Sequence, residues 1–392
     1  MAANQSAIAT FRRSLRASGW RWATSLVLDR VGLPALGWWA DLTFSYEMLS
    51  EQLAGIFRTW GMPEDHIPIT IEHLLYADLH GIDSHGCGML WDYHQNLVAG
   101  KITMTPKVEI VRQGPTTALI DGGGGLGHVP ADTAMKLAIA KAKETGMGSV
   151  AVRNSGHYGA AGTYAAMAAR EGLMGFSTTN TRTPSVVPTF GVDAVLGTNP
   201  ISVAAPAKAN RPFLLDMATS TAPIGKLMIA WRCGKAIPDG WAQDLQGMPV
   251  TNARKASQYR RLTPLGSSRL MGSHKGYGLA SVVEILSSLL PGLRAAQGEG
   301  PARAGHFFMA MDPTRFRDAG EFESDLDQMM DSFRQSKPVD PQQPVMVAGD
   351  PEHAAADQRR KSGIPLSRCV IEDMRLICHE SGVPFQLKEE SA

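Results

Sequence analysis

Thr116-Thr117-Ala118-Leu119-Ile120-Asp121, then Gly122-Gly123-Gly124-Gly125-Leu126-Gly127, then Ala131 to Lys143, is the stretch on which the fold turns. The first segment reads as a strand and the second as a glycine loop. The third reads as a helix, with Met135, Ala138, Ile139 and Ala142 on one face. The glycine run satisfies G-x-G-x-x-G between a strand and a helix, and Glu144 lies near the spacing of a ribose-binding acid. A run of glycines meets that expression easily, however. Asp121 puts a charge where a Rossmann turn is usually apolar, and Glu144 falls at a helix end rather than at the end of a second strand. The loop is therefore expected to serve something other than a dinucleotide.

Working outward, Leu49, Leu53, Ile56 and Trp60 recur at helical spacing after Met48, and Gly61 with Pro63 closes that segment. A second helical stretch from Pro68 to Leu79 runs into His80-Gly81-Ile82-Asp83-Ser84-His85-Gly86, where small and polar residues end the periodicity. Strands are expected at Ser149–Val152, Leu173–Thr178, Ile201–Ala205 and Phe213–Met217, each bounded by Gly, Pro or Asn. Helices are expected at Tyr277–Leu290 and Asp318–Arg334, and Ser336–Pro344 reads as a polar linker. The chain divides on this reading into an extension outside the fold (1–45), an N-terminal helical region (46–115), a mixed-sheet region (116–290) and a C-terminal region (291–392).

The 392 residues suffice for two or three domains. Lys and Arg total 38 against 37 Asp and Glu, so no general field draws nucleic acid or acidic membranes to the surface. No apolar run reaches the roughly 18 residues of a spanning helix. Cys87, Cys233, Cys369 and Cys378 form no CxxC pair or disulfide framework, which fits a reducing cytoplasm. Arg12-Arg13-Ser14-Leu15 resembles a twin-arginine export signal, but Arg21, Asp29 and Arg30 interrupt the apolar stretch that should follow it. A start at Met48 explains the segment as well as any targeting role does.

Ser84-His85-Gly86 and Ser155-Gly156-His157-Tyr158-Gly159 each place an imidazole in a glycine-flanked turn. There the ring can face a cleft and, with an ordinary pKa near 6.5, exchange a proton with a hydroxyl that gains or loses a hydride at its carbon. Capping or core histidines are the bland alternative. Gly197-Thr198-Asn199-Pro200 and Asp216-Met217-Ala218-Thr219-Ser220 are turns whose side chains can hold a ribose, an amide or a phosphate. His274-Lys275-Gly276-Tyr277-Gly278 precedes an apolar helix, a geometry suited to a pyrophosphate. His80, His85, His94 and Asp83 form no recognised ligand set, so no metal is expected.

Together these segments, with Ala77-Asp78-Leu79 before the first motif and Ala160-Ala161-Gly162 after the second, resemble the malate/L-lactate dehydrogenase family over Tyr46 to Phe385. That family includes ureidoglycolate, sulfolactate and 2,3-diketogulonate oxidoreductases and cyclic-imine reductases. The resemblance implies a mixed α/β, non-Rossmann NAD(P)-binding fold, a mixed-sheet domain with a flanking helical domain, a homodimer, and interconversion of a small 2-hydroxy acid with its 2-oxo acid. It assigns His85 or His157 to proton transfer and places Ser84 and Tyr93 in the substrate pocket. It puts NAD or NADP against Ser177, Thr178, Asn180, Thr181, His274, Lys275, Gly349, Asp350 and Glu352. Met89 stands where some members carry a substrate-clamping arginine, and Arg182 is open to a 2′-phosphate role. Reduction of a cyclic imine carboxylate is the alternative within the fold. A serine hydrolase on Ser84 or Ser155 is the alternative outside it, and it lacks a G-x-S-x-G elbow.

Overall fold

The structure, a computed structural model, describes residues 42–181, 183–232, 234–293 and 303–388. The chain enters as β1 (Leu42–Phe44), α1 (Tyr46–Thr59), α2 (His66–Leu79) and α3 (Leu90–Val98). β1 pairs antiparallel with β9 (Ile364–Leu366), and α11 (Arg368–Ser381) follows β9 directly. Leu49, Leu53, Ile56, Leu74 and Leu75 thereby close a core with Ile371, Met374 and Ile377 from the far end of the chain. Residues 42–45, at the end of the expected extension, pack with this core. Phe44 is 1% exposed, and the Ser45 hydroxyl accepts from Met48 N–H as the cap of α1. Residues 1–41 lie outside the described residues.

The remaining strands are β2 (Glu109–Gln113), β3 (Thr117–Asp121), β4 (Met147–Ser155), β5 (Met174–Thr179), β6 (Ile201–Ala205), β7 (Phe213–Met217) and β8 (Ala304–Met311). They form one sheet in the order β2-β3-β4-β8-β5-β6-β7. Only β3 and β4 run parallel, so this is not the parallel doubly wound sheet of a Rossmann domain. Between strands lie α4 (His128–Thr145) and α5 (Gly162–Arg170). After β7 come α6 (Ile224–Arg232), α7 (Ala253–Tyr259) and α8 (Ser273–Glu284), which continues as one π-helical turn, Ile285–Leu289. After β8 come α9 (Glu321–Arg334) and α10 (Asp350–Ser362).

Alanines let α4 lie close on the sheet: Ala131, Ala134, Met135 and Ala138 pack with Ile120, Val150, Val152 and Phe308. Gly148 makes the approach possible, since a Cβ there would sit 2.2 Å from the Ala138 carbonyl. β8, from beyond residue 290, fills the centre of the sheet. A strand covered on both faces shows no apolar alternation, and Gly305-His306 at its start hides it further.

Candidate active site

α2 delivers the first histidine. Its penultimate residue, Asp78, is fully buried, and Asp78 Oδ2 accepts from Cys87 N–H at 2.8 Å. A Cβ at Gly86 would fall 2.0 Å from Asp78 Oδ1, so only glycine lets the chain turn over this carboxyl. Burial pushes the Asp78 carboxyl up to about 7. Arg359 of α10 donates to the Asp78 carbonyl and pairs with Asp83. Between these anchors the turn presents Ser84 and His85, with Ser84 Oγ 2.8 Å from His85 Nδ1. Burial lowers the His85 pKa below the usual histidine value, so its ring is a neutral base at neutral pH.

The glycine run holds the second histidine. Gly122 N–H donates to the Arg153 carbonyl at 2.8 Å, Gly124 N–H to Asn154 at 2.7 Å and Gly127 N–H to His157 at 2.8 Å. Asp121, the residue that spoiled the dinucleotide reading, accepts from Asn154 Nδ2 at 2.8 Å and Arg153 Nε at 3.1 Å. The loop is thus a backbone cradle for residues 153–157. It brings the His157 ring against His85 with centroids 5.5 Å apart and planes at 27°. Tyr93 OH and Gly159 N–H both meet His157 Nδ1, at 2.7 and 3.3 Å. A backbone N–H can only donate, so Nδ1 accepts and the proton of the neutral ring sits on Nε2.

Tyr93 is 2% exposed and its hydroxyl lies on His157, so it reaches the site through that imidazole. Tyr93→Phe is expected to lower kcat about fivefold, the equivalent of one hydrogen bond worth about 1 kcal/mol, with little change in cofactor affinity. Unchanged turnover would reduce the tyrosine to packing.

Of the expected cofactor residues, Ser177 and Thr178 are wholly buried. Their hydroxyls face Tyr158 OH at 3.3 Å and Ser287 Oγ at 2.9 Å. Asn180 and Thr181 stand at the end of β5. Asn180 accepts from Gly305 N–H at 2.8 Å, Thr181 N–H donates to Asn199 Oδ1 at 3.3 Å, and Asn199 Nδ2 donates to Glu284 at 3.0 Å. Thr181 Oγ1 is buried with no hydrogen-bond partner. His274 and Lys275 are exposed on the first turn of α8, with His274 Nδ1 2.9 Å from Arg269.

Gly349 and Asp350 are not brought to the histidines. They adjoin Leu214 near the start of β7, and the Asp350 carboxylate is bound by Arg334 at 2.8 Å and by Val347 N–H at 2.9 Å. Glu352 acts instead on Asp216, whose carboxyl burial and then Glu352 push up to about 6. Asp216 accepts from Gly162 N–H at 2.7 Å, opening α5. Arg182 lies outside the described residues, and Met89 packs against the N-terminal core.

Among the buried histidines that escaped the sequence reading are His306 and His128. His306 bridges Ser155 Oγ at 2.8 Å and Thr179 Oγ1 at 2.7 Å, tying the His157 strand to β5. His128 lies under Gly159 with both ring nitrogens unpartnered. Neither sits in a turn motif, so no local signal marked them. Among the described residues, no group of three or more His, Cys, Asp or Glu side chains is placed to hold a metal ion.

Two imidazoles face to face beyond the end of β4, one held at Nδ1 by a serine and the other by a tyrosine, define an acid/base site outside the doubly wound class. Residues 44–375 match the malate/L-lactate dehydrogenase family, and the chain belongs to it. Malate dehydrogenase of Pyrococcus horikoshii is 43% identical over 329 residues, covering 82% of this chain and 91% of that protein. The crystal structure of malate dehydrogenase from Entamoeba histolytica superposes with a TM-score of 0.84 at 34% identity, over 88% of this chain and 100% of that one. Delta1-piperideine-2-carboxylate reductase from Pseudomonas syringae superposes with a TM-score of 0.76 at 25% identity, over 86% and 99%.

Proposed function

We propose that this chain is an NAD(P)-dependent oxidoreductase that moves a hydride between nicotinamide and C2 of a small 2-hydroxy acid or its 2-oxo acid. The facing pair of His85 and His157 is the observation that carries this reading. The cofactor, when bound, supplies or takes the hydride. Lys275 and the first turn of α8 would hold its phosphates, and the partnerless Thr181 hydroxyl beside Asn180 is a polar atom that a bound group would satisfy. In oxidation, neutral His85 takes the proton from the C2 hydroxyl, with Ser84 Oγ steadying its other nitrogen. His157 directs Nε2–H at the same oxygen or at the neighbouring carboxylate, its tautomer fixed by Tyr93 and Gly159. In reduction the same proton returns from His85.

The relatives' names favour a malate-like acid, and the reductase neighbour keeps a cyclic imine carboxylate as the second reading. A panel of 2-oxo acids and cyclic imines, each with NADH and NADPH and followed at the nicotinamide absorbance, tests both. Turnover of imines alone would reverse their order, and no turnover with any pair would remove the activity. Lys275→Ala is expected to weaken cofactor binding by roughly 10-fold or more while bound-state turnover stays near normal. Unchanged affinity removes Lys275 from the site.

The reading extends to a homodimer in the cytoplasm. Leu279, Val282, Ile285, Leu289 and Leu290 expose apolar surface along α8 and the turn after it, and Cys87 and Cys378 are buried free thiols. No helix among the described residues is long and apolar enough to cross a membrane. Sedimentation as a monomer would overturn the dimer.

A further inference from the structure

A cleft of about 530 Å³ opens between α1, α2, the end of α5 and the end of α10, apart from both histidines. Arg170, Arg359, Arg360 and Lys361 line it, against the carboxylates of Glu47 and Glu72. On its floor Tyr76 stacks on His80 with centroids 3.8 Å apart, and the Arg170 guanidinium lies 5.8 Å from the Tyr76 ring centre. Burial, with Arg360, His353 and Arg170 nearby, holds His80 at about 4, so its ring contributes no charge and the lining stays net positive.

The cations are loosely matched. Arg170 is 3.9 Å from Glu72, and Arg360 is 3.5 Å from Asp357, a carboxylate that Arg211 holds more closely at 2.7 Å. Charge-assisted pairs close to about 2.7–2.9 Å, so both guanidiniums keep donors for another acceptor. The same wall reaches the catalytic turn at two points. A Cβ on Gly81 would touch the Ala355 Cβ at 3.4 Å, and Arg359 binds the Asp78 carbonyl and the Asp83 carboxylate, one residue before Ser84.

We propose that this cleft binds a multiply charged oxyanion, either inorganic phosphate or the phosphoryl group of a small metabolite, and transmits its occupancy to the Ser84-His85 turn through Arg359. An anion seated among Arg170, Arg360 and Lys361 competes with Asp83 and the Asp78 carbonyl for the Arg359 donors, which loosens or re-aims the turn. The inference goes beyond the proposed reaction and does not depend on which acid is the substrate.

The test is calorimetry on the full-length protein with inorganic phosphate and glycerol phosphate in separate arms, at ionic strength held constant with chloride. Wild type is expected to bind at least one of them, and the preferred arm identifies the source. The double variant Arg360→Ala/Lys361→Ala, and separately Arg170→Ala on the opposite wall, should weaken that binding at least about tenfold while circular dichroism stays native. Saturating phosphate should change wild-type kcat at least about twofold and leave the double variant unaffected. No binding beyond the chloride control, or equal binding by the variants, overturns the site. Displacement of phosphate by NADH or NADPH makes the cleft part of the cofactor site and overturns it equally. Binding with unaltered kcat overturns the coupling to the turn.

Discussion

His85→Gln is expected to lower kcat for 2-hydroxy acid oxidation by at least about 10², with cofactor affinity and Tm close to wild type. Glutamine keeps a polar side chain of similar reach near Ser84 Oγ but cannot accept and return a proton. The pH profile sharpens the test. Burial disfavours the imidazolium, so the folded pKa of His85 lies below the unfolded value near 6.5. The base form therefore persists as pH falls through 6.5. Oxidation should decline only at more acidic pH, and the variant should lose that acidic limb. The same sign governs stability. Below about pH 6.5 the unfolded chain takes up protons that His85, His128 and His306 resist in the folded state, so wild-type stability should fall as pH drops through that value. If His157→Ala shows the kcat loss and His85→Gln only a raised KM, the proton role passes to His157. Two near-normal enzymes would sink the mechanism.

Local pattern carried much of the fold. The strands at Ile201–Ala205 and Phe213–Met217 fall where their bounding turn residues put them, and α1 and α2 follow their apolar spacing. What stayed hidden depends on long-range pairing. β8 is central, covered on both faces, and joins its neighbours from more than 120 residues away. β1 gains its partner only from the far end of the chain. The site divides the same way. Glycine-flanked turns announced His85 and His157, because close backbone packing needs glycine locally. Asp78 lay inside a quoted motif without a role, since its function is set by a carboxyl pointing back beneath residues 86–87. The hydroxyl partners of Ser177 and Thr178 were hidden too, because sequence does not show what covers β5.

Gly127→Ala separates the two meanings of the glycine run most sharply. The backbone at Gly127 is ordinary, φ −78° and ψ −10°, so alanine brings no torsional strain. Its Cβ would nevertheless stand 2.6 Å from the Gly156 carbonyl, 2.8 Å from Tyr158 Cβ and 3.0 Å from the His157 carbonyl, so the His157 loop must move. Overpacking of this kind costs about 1–3 kcal/mol in stability. A displacement of about 1 Å in a positioned catalytic group costs on the order of 10² in rate. The cradle role therefore predicts a drop in kcat of on the order of 10², with cofactor affinity nearly unchanged and a modest fall in Tm. Were the run a phosphate cradle, the same methyl group would block the close approach of a pyrophosphate, and the main loss would be in cofactor binding. Fluorescence titration with NADH and NADPH beside single-turnover rates decides between them, and a variant with normal turnover but weakened cofactor binding would restore the dinucleotide reading of Gly122–Gly127.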